Sequence, residues 1–223
     1  MSYEDFEIYD LSIVIIGQFN PMIIHPLWLA QKGLIREGES HPEISKVEIM
    51  HRDIVKFELV DWSEFVITKE RFEIKTSNSA YFEPVKDLVI SIFGILGETP
   101  LYSMGINHTL HYSFQDINRS KSFANSFVPL AKWNETISDP RLLRLEILEQ
   151  KRKDGRNGSV RVRIESSSKL INTMGVGSVA IDINDHYQAS NSAGENIVEI
   201  LQSVWKDSSE RAKEIITGIW KNT

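Results

Sequence analysis

"LYSMGINHTLHYSF", residues 101–114, decides how the chain reads. Its even positions Ile106, Leu110, Tyr112 and Phe114 are apolar, whereas Asn107, Thr109 and His111 between them are polar. That period of two is the mark of a strand with one buried face. It follows a helical pattern and restarts an order of elements that the chain has already run through once.

Upstream, residues 11–16 are apolar on both parities, as in a central strand covered on both sides. "GQFNPMIIHPLW", residues 17–28, is read as a corner: Asn20-Pro21 makes a turn, and Pro26 opens a short helix that Gly33 ends. A surface loop is expected over 34–44. "VEIM", "IVKFELV", "SEFVITK" and "RFEIKT" then read as an antiparallel meander of three or four strands. "FEPVKDLVISIFGIL" changes to the helical period, with Val85, Leu88, Val89, Ile92, Ile95 and Leu96 on one face and a stop near Gly97.

Downstream of residue 114 the order repeats. A helix is predicted over "NRSKSFANSFVPLA", with Asn118 or Ser120 as its cap. "RLLRLEILEQ", "SVRVRIES" and "GVGSVAIDI" supply three strands, the first two joined by the hairpin "KRKDGRNG". "ENIVEILQSVWKDSSERAKEIITGIW" closes the pattern as a long amphipathic helix. The expected fold is α+β: one domain over 1–223, with antiparallel sheet packed on long helices and two pseudo-repeated β-α-βββ-α halves, 1–98 and 99–223, in a helix-grip-like arrangement.

The chain contains no cysteine, which excludes disulfides, zinc-thiolate sites, iron–sulfur clusters and a cysteine nucleophile. "MSYEDFEIYD" has the wrong charge for a targeting peptide, so a cytoplasmic location is expected. No apolar run approaches the roughly 20 residues of a membrane span. A net charge of −6 argues against wholesale electrostatic binding to nucleic acid or lipid.

His111 is the stronger catalytic candidate of its strand, because it shares the polar parity with Asn107 and Thr109. His108 shares the apolar parity and is expected to be a hydrogen-bonded core residue. His25 precedes Pro26 and is held extended, which places its ring without making it catalytic. Asp182, Asp185 and His186 gather at a strand end, but the calcium-loop pattern is lacking and capping aspartates in a turn explain them better. "GVG" at 175–177 is too short for a dinucleotide fingerprint and reads as a bend. No serine stands in a nucleophile elbow and no phosphate loop occurs, so neither metal nor cofactor is assigned.

Two stretches are candidates for binding. Phe19, Met22, Ile23, Ile24, Leu27 and Trp28 are too apolar for a solvated loop and are either packed or presented to another chain, Met22 suiting an adaptable contact. From Arg141 to Arg163 cations outnumber acids; Lys151, Arg152, Lys153, Arg156, Arg161 and Arg163 form a basic hairpin that could meet phosphate, nucleic acid or an acidic partner. A solvated hairpin that resists edge-to-edge aggregation is the favoured reading, since no aromatic is interleaved.

"MGINHTLHYSF", and "VAIDINDHY" before a long C-terminal helix, resemble a sporadically distributed, functionally uncharacterised bacterial family. The resemblance lies mainly in the C-terminal half; it implies a fold outline and a bacterial source, and no site. The function expected from the residues is a non-catalytic binding or assembly module with a protein partner or a homo-oligomeric state. Its surfaces would be the 19–28 segment, strand edges or the C-terminal helix. A helix-grip carrier of a small apolar ligand, and an enzyme using His111 or the Asp182, Asp185, His186 group, are the alternatives.

Overall fold

The computed structural model describes residues 1–41, 45–59, 62–170, 177–189 and 196–221. The loop expected over 34–44 therefore lies in part outside the described residues, as do Gly175 and Val176 of the "GVG" bend. In chain order the elements are β1 (Ile8–Gly17), α1 (Pro26–Gln31), β2 (Ser45–His51), β3 (Ile54–Leu59), β4 (Ser63–Thr68), β5 (Arg71–Thr76) and α2 (Phe82–Ile95). The order then restarts with β6 (Leu101–Ser113), α3 (Ile117–Phe127), β7 (Arg144–Glu149), β8 (Gly158–Ser166), β9 (Ser178–Gln188) and α4 (Ile197–Lys221). The fold is α+β, and the described strands form one antiparallel sheet in the order β2-β3-β4-β5-β1-β6-β9-β8-β7.

The repeat is written into that order. β1 and β6 lie side by side at the centre, with Ile8 opposite His111 and Ile13 opposite Ile106. Each is flanked by the last strand of its own half, β5 or β9, and each half ends in a helix, α2 or α4. The connectivity thus has a two-fold relation about the β1–β6 seam. The halves are unequal in strand number: all four runs of the expected three- or four-stranded meander pair, so the first half carries four strands after its short helix where the β-α-βββ-α pattern has three.

Alternation assigns the two faces. Leu11, Ile13 and Ile15 of β1, and Ile106, Leu110 and Tyr112 of β6, are buried on the helix side. Phe57 stacks on Phe65 at 4.4 Å between ring centroids, and Phe72 meets Phe93 of α2 edge-on at 5.1 Å. Phe93 takes a core position in α2, while Ile95, expected on that face, is exposed. α4 buries Ile200, Leu201, Val204 and Trp205 against the first half's core and Ala212 and Ile216 against the second's. Each of the larger side chains among them contributes roughly 1.5–3 kcal/mol by leaving water, and that sum fastens the two halves to one helix.

Local chemistry sets the helix ends. His25 caps α1 by accepting from the Trp28 N–H at 3.4 Å, and Gly33, at φ 68°, follows the helix in the left-handed region that favours glycine. α3 is capped by Asp116, which accepts from the Asn118 and Arg119 N–H groups, and not by Asn118 or Ser120. Asp116 is extended, as an N-cap must be, whereas the two expected residues already lie inside the helix. Among the described residues no helix is long and apolar enough to cross a membrane.

His108 sits between sheet and α4. Its Nδ1 lies 2.7 Å from the Tyr9 hydroxyl and its Nε2 3.2 Å from Ser208 Oγ on α4, with no solvent exposure. Burial pushes its pKa down to about 4, against a weaker opposing pull from Asp185. The unfolded ring takes up a proton below pH 6.5 and the folded ring does not, so acidification toward pH 4 removes stability. At pH 4.5 the loss expected from His108 is about 2–3 kcal/mol. His108→Gln keeps a donor and an acceptor without titrating, so denaturant melts at pH 7 and 4.5 should show a smaller acid loss than wild type. Equal losses in the two proteins would show that His108 does not carry it.

Candidate functional site

The face of the sheet away from the helices is polar and open. Ser12, Asn107 and Asn184 run across β1, β6 and β9 as a ladder: Asn107 Nδ2 donates to Ser12 Oγ at 2.9 Å, and Asn184 donates to Asn107. Arg71, Glu73 and Lys75 flank it from β5, and Arg161, Arg163 and Asp182 from β8 and β9, around a depression of about 270 Å³. Charges there are paired by sign: Arg163 donates to Asp182 at 2.7 Å, and Arg71 to Glu73 at 2.8 Å.

At one end of this face lies the cluster around His111. Asp10 of β1 is buried, and its carboxylate receives Lys169 Nζ at 2.7 Å and the Ser77 hydroxyl, with His111 Nε2 at 3.3 Å. Burial works against ionisation of Asp10, yet the hydrogen bonds from His111, Lys169 and Ser77, with Lys75 nearby, outweigh it and hold the carboxyl well below the usual range. An ionised carboxylate can only accept, so Nε2 of a neutral His111 carries the proton and Nδ1 is left to accept from Ser167 Oγ at 2.7 Å. Asp10, His111 and Ser167 thus stand in the order of a hydrolytic triad. Ser167 Oγ, however, also accepts from the Lys169 and Leu170 N–H groups at 3.2 and 3.1 Å. A hydroxyl has two lone pairs; both are engaged in closing a turn, and none is directed outward for attack.

Asp182, Asp185 and His186 do not converge. Successive strand residues face opposite ways, so Asp182 and His186 lie on the open face and Asp185 on the helix side, where it is fully buried. Asp185 receives Arg152 Nη1 at 2.5 Å and the Tyr187 hydroxyl at 2.8 Å. Burial, then the charges of Arg152 and Arg161, lower the pKa of His186. Among the described residues no three acids or histidines gather as metal ligands.

The basic hairpin is likewise divided. Arg152 is no surface cation: its side chain is fully buried, ion-paired to Asp154 and Asp185, and stacked 4.0 Å from the Tyr187 ring centroid. Arg211 of α4 pairs with Asp154 at 2.7 Å, and Arg156 donates to Ser203 of α4 at 3.2 Å, so the hairpin folds back onto the helix. Gly158 permits this, since a Cβ there would meet the His186 carbonyl oxygen at 2.0 Å. Arg161 and Arg163 lie on the opposite face, and Lys151 and Lys153 remain exposed. One continuous basic patch is not formed, because the sheet separates its members.

Of the 17–28 stretch, Phe19 and Ile24 enter the core, which removes both as free contact residues; Trp28 packs beside them and is half-buried, and Met22 and Leu27 are exposed. The apolar face of α4 is also spent in the core. The sheet ends are different. β2 exposes Val47, Ile49 and Met50; β7 exposes Ile147 and Leu148, and Leu143 just before it is 79% exposed. These residues were not singled out by periodicity, although "RLLRLEILE" is apolar on both parities at what proved to be a sheet edge.

No family model and no curated protein matches the chain. The resemblance to the bacterial family rests on the two quoted stretches alone.

Asp185→Ala leaves the Arg152 guanidinium buried with a partner missing, and should cost about 3–5 kcal/mol in denaturant unfolding. Arg161→Ala, removing an exposed pair with Glu146, should cost about 0–1 kcal/mol. Similar values for the two would mean that the Arg152–Asp185 contact is not a buried anchor.

Proposed function

We propose that the protein is a non-catalytic binding or assembly module that works through protein contacts at the edges of its sheet. The observation that carries this reading is the pair of sheet edges, left open by the described residues, that bear large apolar side chains. Edge strands present unpaired N–H and C=O groups, and monomers blunt them with charge, proline or a covering segment. Here Val47, Ile49 and Met50 at one end, and Leu143, Ile147 and Leu148 at the other, stand exposed beside those groups. A second strand laid along an unbulged edge such as β7 would satisfy the backbone and cover the side chains together. The native mass of the protein purified from its own source, with co-eluting species identified, tests this. A defined oligomer or heteromeric complex is expected; a bare monomer that travels with nothing overturns the reading.

A carrier role has less support. The layer between α4 and the sheet is filled by Leu201, Val204, Trp205, Ala212 and Ile216, and the apolar cavity of about 300 Å³ lies instead beside α3, lined by Phe114, Ile117, Phe123 and Leu143. The enzymatic alternative keeps one specific observation in its favour, the Asp10–His111–Ser167 order. With both Ser167 lone pairs engaged, a fluorophosphonate probe should leave Ser167 unlabelled. Labelling that His111→Ala abolishes without lowering the melting temperature would reverse the ranking.

A further inference from the structure

We infer that the partner at the β7 edge is a second copy of this chain, paired antiparallel with its own β7 about a two-fold axis at Leu145. The inference rests on the reading of the sheet edges as contact surfaces and names the occupant of one of them. Its basis is the sequence of β7 together with the three residues that lead into it, Arg141-Leu142-Leu143-Arg144-Leu145-Glu146-Ile147-Leu148-Glu149, where a partner strand would extend the pairing to 141–143 and draw Arg141 from its 3.0 Å contact with Asp139.

Antiparallel pairing about Leu145 sets each residue opposite the one equally distant on the other side. Arg141 then meets Glu149, Leu142 meets Leu148, Leu143 meets Ile147, Arg144 meets Glu146, and Leu145 meets itself. Every cation faces an anion and every apolar side chain faces another. Directly opposed side chains on one face lie about 4.5–5.5 Å apart at Cβ, close enough for these pairs to form. Moving the axis by one residue sets Glu146 against Glu146 or Arg144 against Arg144, so the match selects one register.

The two faces of the strand are matched independently. On the helix side the Leu143–Ile147 and Leu145–Leu145 contacts extend the apolar layer in which Leu145 is already partly buried. On the open side Arg144 lies 3.3 Å from Glu165, and Glu146 3.3 Å from Arg161, within one chain. Apposition would join them into a row of alternating sign, Glu165 and Arg144 from one copy followed by Glu146 and Arg161 from the other.

β7 is also the more receptive edge. Its pairing with β8 runs without a register shift from Arg144–Glu165 to Glu149–Val160. β2 at the far end carries a shift between Val47 and Ile49, a bulge of the kind that turns an edge away from further pairing. A dimer through β7 alone closes, whereas two open edges would polymerise.

The chain has no cysteine, so single cysteines report without background. Leu143→Cys and Ile147→Cys proteins should form a disulfide when mixed and not when either is alone, because the register opposes 143 to 147. A Leu143→Cys and Val47→Cys mixture should not cross-link. In sedimentation, wild type should be a dimer, and Arg141→Glu or Glu149→Arg should each weaken it about tenfold or more by opposing like charges. Mixing those two variants makes both contacts opposite in sign and should restore the dimer.

A wild-type dimer indifferent to these substitutions overturns the β7 register and leaves the contact reading standing. A wild-type monomer that co-purifies with a different protein overturns the second copy as partner, again without touching that reading. A monomer that binds nothing overturns both.

Discussion

The pairing of β1 with β6 is the constraint on which the rest of the molecule depends. It runs from Ile8–His111 to Gly17–Leu101, and through it the two halves share one sheet. Both strands are covered on the helix side, so Leu11, Ile13, Ile106 and Leu110 are buried together and any slip of one residue would turn them outward. The register of this seam also sets Asp10 on the open face near His111, and Tyr9 on the helix side against His108. Both histidine environments follow from the alternation of two neighbouring strands.

Polar groups near the sheet are bound in three clasps. Tyr9, His108 and Ser208 join the sheet to α4; Arg152, Asp154, Asp185 and Arg211 join the hairpin to β9 and α4; Asp10, His111, Ser167 and Lys169 join β1 and β6 to the segment after β8. Each is a set of buried or half-buried groups whose desolvation is offset by hydrogen bonds within the set. Such clasps tie distant parts of the chain together and leave the surface between them quiet. Exposed apolar side chains also occur at Met22, Leu27, Trp133 and Ile137, but at the sheet ends six of them stand beside an edge strand's backbone, which is why contact function is proposed there and not at the histidines.

Much of the fold was legible because it is encoded at short range. A continuous apolar run marked β1, alternation marked β6 and the meander, helical spacing marked α2 and α4, and the restart at Leu101 marked the repeat. The His108 and His111 assignment to opposite faces needed only the strand period. The cap of α3 and the exposure of Ile95 were misread, and the meander was left at three or four strands, since each turns on one residue's backbone angle or on contacts with other elements. The site was less legible. Asp10, Ser77, Ser167 and Lys169 are separated by long stretches of chain and meet only after folding, although a carboxylate at Asp10, beside an apolar strand, was a visible signal. The charges of "KRKDGRNG" read as a surface feature because composition does not tell which guanidinium will find a buried carboxylate.

By itself the sequence determined the element types, their repeated order, the buried parity of β6 and the absence of any thiol chemistry, whereas β1, apolar on both parities, proved to be covered on the helix side and open on the other. These follow from side-chain period and from composition, which need no knowledge of distant contacts. The tertiary structure decided which strands stand at the ends of the sheet, which cations are swallowed and which apolar residues remain outside. Strand order is a matter of pairing between segments far apart in the chain, and an edge is defined only by what does not pair with it. The complementary run from Arg141 to Glu149 is present in the sequence throughout, but it acquires meaning only when β7 proves to be such an edge.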